Sequence, residues 1–312
     1  MSTSSNQKKL AGLKIGFFGK GGAGKSTAVV LMARALARAG YTVCIVDADS
    51  TNFGLHQALG MEQPPAPLLD HFGGMIFSGG RISCPVDDPT PIPGAEISLD
   101  SFPQEYYTQG ENEVYLMSGG KLGAAGAGAG CDGPIAKIAR DIHVSRQTSP
   151  VVTLVDFKAG FEDTARGVVT GLDLAIVIVD PTQASLALAT NMQQMVENMH
   201  AGQLPATRHL ESPDLVADAN RLFQESSLSK VLFILNKITD EKTERFLRQR
   251  LSASNIQPIG VIHHDPGFTE AWLTGTTIDD SKTRSDVDLM LQQLEASVTD
   301  AESGQPVSNR DR

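Results

Sequence analysis

Short runs of apolar residues alternate with segments of helical periodicity along most of this chain. The apolar runs are rich in Val and Ile and end at Asp, Asn or Pro, which is typical of the buried strands of a parallel sheet. The alternation predicts an α/β fold in which a mostly parallel sheet carries helices on both faces. The predicted strands span residues 13–18, 41–46, 151–155, 174–179, 231–235 and 256–262.

The helical pattern is clearest directly after the first predicted strand. Ala28, Met32, Leu36 and Ala39 recur at a spacing of three or four residues, and Gly40 follows them as a terminator. Further helices are predicted at residues 135–144, 183–200, 241–252 and 285–298. These helices lie between predicted strands or follow the last one, as the α/β alternation requires.

Three stretches interrupt this pattern. Residues 61–112 are crowded with Pro, Gly and acidic residues, so we expect a surface insertion there. Residues 201–214 are expected to form a loop between helices. Residues 119–133 contain the densest run of glycine, which indicates either a flexible loop or a close approach of the backbone to a ligand or partner.

Length and composition fit a single globular domain. We predict one domain over residues 13–299, with disordered tails at 1–12 and 300–312. No apolar run approaches the roughly 18 residues that a membrane helix needs, and the polar start lacks the hydrophobic region of a secretory signal, so we expect a cytoplasmic protein. The net charge of −10 argues against nonspecific attraction to DNA or to an anionic membrane.

The most informative motif is the octet GKGGAGKS at residues 19–26, which satisfies the phosphate-binding pattern G-x-x-x-x-G-K-[ST]. It lies between a predicted strand and a predicted helix, where such a loop belongs. Its glycines let backbone N–H groups surround a polyphosphate, and the helix adds its positive N-terminus. Lys25 is then expected to contact the outer phosphates and Ser26 to bind magnesium.

Carboxylates that hold magnesium and aim a water belong at the carboxyl ends of neighbouring strands. Asp49 follows the second predicted strand and Asp156 follows the third. We expect Asp49 to orient the attacking water, and Ser26, Asp49 and Asp156 to form the magnesium site, although helix caps and turns also use such positions. The run DFKAG at 156–160 has the form D-x-x-x-G, whose glycine amide can meet a γ-phosphate and release it after hydrolysis.

A purine site is predicted where the strand at 231–235 ends. Asn236 can recognise a purine edge through its paired donor and acceptor, with turn capping as the alternative. The residues predicted to bind ATP are Gly19, Lys20, Gly21, Gly22, Ala23, Gly24, Lys25, Ser26, Thr27, Asn236 and Lys237.

Lys20 is a second lysine that an ordinary phosphate loop does not need. It could reach a phosphate across a dimer interface and act in trans, as an arginine finger does. With this residue the chain resembles the deviant Walker A ATPases, which include MinD/ParA, the nitrogenase iron protein and the nickel-insertion ATPases of carbon monoxide dehydrogenase. The matching segments are GKGGAGKST at 19–27, VDADS at 46–50, VDFKAGFEDTARG at 155–167, LNK at 235–237 and GVIHHDPGFTEAWLTG at 260–275.

The resemblance implies the P-loop fold of this class and an ATP-dependent homodimer. Its two active sites would face each other, and each would be completed by the other subunit's Lys20. Lys20, Lys25 and Asp49 would then be the catalytic residues.

A possible second metal site rests on Cys131. The segment DFKAGFEDTARG looks most like that of the nickel-insertion ATPases, with Glu162 and Arg166 in matching places. In that branch and in the iron protein, a cysteine near the dimer axis helps bind a metal ion or an iron–sulfur cluster, and Cys131 resembles it. A helix start also lowers a thiol's pKa, which favours metal binding.

The second cysteine of that branch is missing, because its Cys-x-Cys motif has Gly133 here. One cysteine per subunit gives two thiolates per dimer, whereas an ordinary iron–sulfur cluster or closed zinc site needs four ligands. Cys84 could supply the missing pair. The alternative is that Cys131 is a reactive or merely tolerated thiol. Cys44, inside an apolar strand, is expected to be buried.

Three functions remain open on these grounds. The first is a magnesium-dependent dimeric ATPase that serves metallocentre assembly or maturation of a client protein. The second is a MinD/ParA-like positioning ATPase, and the third is an iron protein-like electron donor. The C-terminal segment is not the basic amphipathic tail of a membrane-targeted protein, and a solvated helix face explains Arg245, Arg248 and Arg250 more simply than DNA binding does. We therefore expect neither a membrane nor a nucleic acid as a partner.

Overall fold

The computed structural model describes residues 8–122 and 130–302, with the side chains of 299–302 outside the description. Most of the two predicted tails, and part of the glycine-rich stretch 119–133, therefore lie outside the described residues. At the amino end the packed part begins earlier than the sequence predicted, because Leu10 is fully buried, and at the carboxyl end the last helix continues to Glu302.

Most of the described strands form one sheet in the order β10-β9-β8-β1-β7-β2-β5-β4. All neighbouring pairs in it are parallel except β4 and β5, while β3 and β6 form a separate parallel pair. The strands are β1 (Lys14–Gly19), β2 (Thr42–Asp47), β3 (Glu96–Ser98), β4 (Thr108–Gln109), β5 (Val114–Ser118), β6 (His143–Ser145), β7 (Val151–Asp156), β8 (Leu174–Val179), β9 (Lys230–Ile238) and β10 (Gly260–His263).

Helices follow most strands and return the chain for the next parallel strand. They are α1 (Lys25–Arg38), α2 (Leu55–Ala58), α3 (Leu68–His71), α4 (Gly133–Asp141), α5 (Glu162–Ala165), α6 (Gln183–His200), α7 (Pro213–Gln224), α8 (Glu241–Ser252), α9 (Pro266–Thr274) and α10 (Arg284–Glu302). In the part of the chain that is described, no helix is both long and apolar enough to cross a bilayer.

The sheet is covered on both faces, which confirms the predicted fold class. Alternate side chains of a strand point to opposite faces. In β8, Val177 and Val179 join the core beneath α4, α6 and α8, whereas Ile176 and Ile178 join the core beneath α1, α9 and α10. The carboxyl ends of the central strands are left open at one edge of this three-layered arrangement, which is where ligands bind in such folds.

Several predicted boundaries were wrong. The predicted strand 256–262 begins only at Gly260, because the chain first turns through Asn255 in the left-handed region, at φ 57°. The predicted helix 135–144 ends at Asp141, because His143–Ser145 pairs with β3. The predicted loop at 201–214 is shorter, since α7 begins at Pro213 with the Ser212 side chain as its N-cap.

Residues 61–112, predicted as a surface insertion, carry only short elements but contribute to the core. Leu68 and Ile97 are almost completely buried and pack in the same cluster as the α4 side chain of Ile135. The insertion therefore lies against α4 and brings Cys84 next to Gly133 at the start of that helix.

Candidate functional site

The loop between β1 and α1 has the conformation that a phosphate-binding loop requires. Gly22 and Gly24 are in the left-handed region, at φ 77° and 92°, where glycine has no steric penalty. Gly24 is the N-cap of α1 and provides no side-chain hydrogen bond. The first N–H groups of α1 are therefore available to an anion.

The end of β9 holds this loop in place. The buried Asn236 donates from Nδ2 to the Ala23 carbonyl at 2.7 Å, and Lys237 Nζ donates to the Gly22 carbonyl at 2.7 Å. A Cβ atom at residue 24 would lie 2.2 Å from Asn236 Nδ2, so only glycine fits there. One amide hydrogen of Asn236 is therefore donated to the loop. Its other amide hydrogen and its amide oxygen are left for the purine contact expected from the sequence.

A cavity of about 410 Å³ opens over the loop, within the usual size range of small-molecule sites. It brings nine predicted site residues together with residues at the end of β10 and along α9. The nine are Gly21, Gly22, Gly24, Lys25, Ser26, Thr27, Asp49, Asn236 and Lys237. Its lining is Gly21, Gly22, Gly24, Lys25, Ser26, Thr27, Asp49, Thr51, Asn52, Ala159, Asn236, Lys237, His263, His264, Asp265, Phe268, Thr269 and Trp272.

The wall formed by α9 was missed as part of the site. Trp272, the single tryptophan of the chain, donates from Nε1 to Thr27 Oγ1 at 2.9 Å, and Phe268 lines the same wall. His263 and His264, to which no role was assigned from the sequence, also border the cavity. The sequence did place this segment directly after a predicted buried strand. A segment in that position reaches the same sheet edge as the phosphate loop, so it could have been expected to border the site.

Asp156 is the strongest electrostatic feature of the site. It is fully buried, and neither carboxylate oxygen has a hydrogen-bond partner among the described residues. Burial raises the pKa of Asp156, while the nearby ammonium of Lys25 and the hydroxyl of Ser26, which lies close but outside normal hydrogen-bond geometry, oppose that rise. A buried carboxylate without a hydrogen-bond partner is unfavourable, and a divalent cation at this position would offset that cost.

Asp47 is a second buried carboxylate beside Asp156, and the sequence analysis did not assign it a role. The two residues lie opposite each other in the β2–β7 pairing. Burial raises the pKa of Asp47 to about 7, although the ammonium of Lys121, 2.6 Å from Oδ2, acts against the shift. Asp49 is also buried, and its Oδ1 accepts hydrogen bonds from the N–H and hydroxyl of Thr51.

Lys20 does not point into the cavity of its own chain. Its Nζ lies 2.9 Å from Asp180 Oδ2, at the end of β8, and also donates to the Gly21 carbonyl. Asp180 Oδ1 accepts from Thr182 and Ser185 at the start of α6. Burial alone would raise the pKa of Asp180, but these hydrogen bonds and Lys20 hold it below its usual value.

The D-x-x-x-G segment contacts the loop and the start of α4. The Gly160 N–H donates to the Gly19 carbonyl at 2.9 Å. The ammonium of Lys158 lies 2.5 Å from Asp132, which also pairs with Arg166 at 3.0 Å. These ion pairs connect the segment to the residue that follows Cys131.

Cys84 lies beside the start of α4. A Cβ atom at Gly133 would be 2.7 Å from Cys84 Sγ, so this thiol fills the space next to the position that lacks the second motif cysteine. Burial raises the pKa of Cys84, and the neighbouring Cys131 adds to the rise. Within residues 8–122 and 130–302, no group of three or more His, Cys, Asp and Glu side chains is arranged to hold a metal ion. Cys44 is fully buried, which raises its thiol pKa to about 12.

The parallel sheet, the glycine-rich loop at the start of α1 and the cavity at the strand ends together define a P-loop nucleotide-binding protein. Residues 17–278 match the model of the CobQ/CobB/MinD/ParA nucleotide-binding domain. The chain therefore belongs to this family, which confirms the resemblance found in the sequence.

Relatives span most of the chain. An uncharacterised ATP-binding protein of Methanocaldococcus jannaschii is 29% identical over 269 residues, covering 86% of this chain and 94% of its own. The carbon monoxide dehydrogenase accessory protein CooC of Rhodospirillum rubrum is 29% identical over 195 residues, covering 60% and 70%. The septum site-determining protein MinD of Pyrococcus horikoshii, solved with Mg-ADP, superposes with a TM-score of 0.53 at 17% identity over 94% of this chain and 97% of its own.

Proposed function

We propose that this chain is a magnesium-dependent ATP hydrolase that works as a homodimeric switch in metallocentre assembly. The observation that carries the hydrolase part is Asp156, a fully buried carboxylate near the ammonium of Lys25 and next to a phosphate-binding loop, whose oxygens lack a hydrogen-bond partner of normal geometry among the described residues. Magnesium held there would neutralise charge on the β- and γ-phosphates. The site of MinD with Mg-ADP is a precedent in a protein of the same fold.

The other site residues fit defined roles in this proposal. The free N–H groups at the start of α1 and the buried Lys25 would hold the phosphates, and Ser26 would share the metal with Asp156. Asp49 would orient the attacking water. Asn236 and Trp272 border the part of the cavity that remains for the base.

The dimer is proposed because Lys20 has no role in its own cavity. Its side chain is 25% exposed and is held at the sheet edge by Asp180, so a partner's active site could receive it when two cavities face each other. This arrangement would make hydrolysis depend on association of two chains.

The metallocentre role is supported by Cys131, Cys84 and the relationship to the accessory protein CooC. Cys84, which lies against Gly133, and Cys131, two residues before it, would give four thiols per dimer, the number that Cys131 alone does not supply. Both thiols are free, as a reducing cytoplasm would keep them. The client would be a metalloprotein that accepts the metal or is remodelled on ATP hydrolysis.

Nucleotide binding and hydrolysis can be tested separately. Trp272 is the single tryptophan and lines the cavity, so its fluorescence should change on titration with ATP and Mg²⁺. Phosphate release should require Mg²⁺, and the rate per chain should rise with protein concentration before it levels off. Absence of hydrolysis would overturn the enzyme assignment, and a rate per chain independent of concentration would overturn the dimer.

The metallocentre role needs its own measurement. Anaerobically purified protein should bind Ni²⁺, Zn²⁺ or Fe²⁺ at about one ion per dimer, with loss of binding in Cys131→Ser and Cys84→Ser. Cys44→Ser is the matched control, because that thiol is fully buried elsewhere in the sheet. Colourless protein that binds none of these ions would contradict the metal-handling role and favour a positioning ATPase.

A further inference from the structure

Residues 119–122 run alongside the turn that carries Asp49. The Gly119 N–H donates to the Asp47 carbonyl at 2.8 Å, and the Leu122 N–H donates to the Ser50 carbonyl at 3.3 Å. These bonds continue the β2–β5 pairing beyond the ends of both strands. The turn from Asp47 to Ser50 is therefore shaped by its neighbour in the sheet.

The side chain of Lys121 adds two contacts between these backbone bonds. Its Nζ lies 2.6 Å from Asp47 Oδ2 and 2.6 Å from the Asp49 carbonyl oxygen. One ammonium thus connects the end of β2 to the backbone of Asp49 itself. The Asp47 carboxylate in turn accepts the Asp49 N–H at 3.2 Å, so both peptide groups of Asp49 are tied to this cluster.

We propose that Lys121 is a positioning residue for ATP hydrolysis, which fixes the backbone of Asp49 so that its carboxylate is aimed at the attacking water. This inference rests on the proposed hydrolase function. Lys121 does not itself line the cavity; it contacts the lining residue Asp49 and acts through it. A misplacement of about 1 Å at a reacting group can lower a rate about 100-fold, so loss of this ammonium should appear in kcat.

The backbone bonds of the segment do not involve the ammonium. Gly119 and Leu122 donate through their main-chain N–H groups, which a substitution of Lys121 leaves in place, and the Lys121 side chain is 21% exposed. The partly open position also leaves room for a small amine from solution. The nearby ring of Phe53, whose centroid is 6.0 Å from Nζ, is exposed and does not close the space.

The test compares Lys121→Ala and Lys121→Arg with wild type in steady-state hydrolysis. We expect Lys121→Ala to lower kcat about 30-fold while KM and the ATP affinity read from Trp272 fluorescence stay within about twofold. Lys121→Arg should keep most of the activity, because a guanidinium can donate to the same two oxygens. Ethylammonium should restore kcat of Lys121→Ala in a saturable manner.

Lys230→Ala is the matched control. Lys230 also donates to a backbone carbonyl at 2.6 Å, that of Ser297, but lies at the opposite end of β9 from the loop. The kcat of Lys230→Ala should equal that of wild type and should not respond to ethylammonium.

The outcomes separate the two proposals. If wild type does not hydrolyse ATP, the proposed function fails and the role of Lys121 fails with it. If wild type is active and Lys121→Ala has the same kcat, or loses ATP affinity in parallel with kcat, the positioning role alone is wrong. A loss of activity that neither ethylammonium nor Lys121→Arg restores would also overturn it.

Discussion

The ammonium of Lys20 lies 2.9 Å from the carboxylate of Asp180 in the same chain. The loop lysine proposed to act on a partner's nucleotide is thus held at the end of β8, next to its own phosphate loop. An ion pair of this partly exposed kind is worth about 0.2–1 kcal/mol, so it can be exchanged for a phosphate contact at little cost. The pairing makes Lys20 available for a role in trans without leaving it unpaired in a single chain.

Replacing Lys20 should separate hydrolysis from binding. Lys20→Ala should lower kcat at least 1000-fold, as loss of a residue acting in trans does, while ATP affinity changes only a few fold. Lys25→Ala should instead weaken ATP binding strongly, because Lys25 is buried at the start of α1. The ATP affinities are measured by Trp272 fluorescence, and the hydrolysis rates are measured by phosphate release.

Mixed dimers test whether Lys20 acts in trans. Lys20→Ala and Asp49→Asn should each be inactive alone, but a mixture should recover activity, because one hybrid site combines an intact Asp49 with the other subunit's Lys20. Near-wild-type turnover of Lys20→Ala alone, or a mixture without activity, would contradict the trans role.

Releasing Lys20 from Asp180 should favour the active dimer. Asp180→Asn keeps an oxygen for the hydrogen bonds from Thr182 and Ser185 but removes the charge that faces the ammonium. At protein concentrations below saturation the rate per chain should rise about two- to fivefold, and at saturation it should match wild type. Asp218→Asn, which removes a pair with Arg221 on the surface of α7, is the control.

Removing the charge of Asp156 should abolish the response to magnesium. In Asp156→Asn we expect kcat to fall about 100-fold or more, and Mg²⁺ should no longer increase ATP affinity. Affinity measured in EDTA should stay close to that of wild type, because the phosphate loop is intact. Unchanged Mg²⁺ dependence in this variant would show that Asp156 does not hold the ion.

The stability of the nucleotide-free protein should depend on pH through Asp47. Because burial raises its pKa from 3.8 to about 7, the folded state binds more protons than the unfolded state between these values. The free energy of unfolding contributed by this group therefore decreases as the pH rises from about 4 to about 7. Asp47→Asn should be more stable than wild type at pH 8, on the order of 2 kcal/mol, and the difference should vanish near pH 4.

Chemical denaturation in EDTA at pH 4, 6 and 8 measures this effect. A stability difference that is the same at all three pH values would contradict the assignment to Asp47.

Much of the site could be read from the sequence because its signals are local. The phosphate loop, the strand before it and the helix after it are contiguous, so spacing alone placed Gly24, Lys25 and Ser26 correctly at the start of α1. The positions of Asp49 and Asp156 could be predicted because acidic residues directly after apolar strands reach the carboxyl edge of a parallel sheet. Strand β5 was not predicted from the sequence. Its five residues follow the irregular insertion, and no helical pattern precedes them to indicate a strand–helix–strand unit.

The sequence by itself thus determined the fold class, the family and the phosphate-binding loop, since period, turn chemistry and motif spacing are properties of neighbouring residues. Only the tertiary structure decided that Lys121 meets Asp47, that Cys84 lies against Gly133 and that Lys20 pairs with Asp180. Each of these contacts joins residues tens of positions or more apart. They depend on the order of strands in the sheet and on how the insertion packs against α4, and hydrophobic periodicity specifies neither.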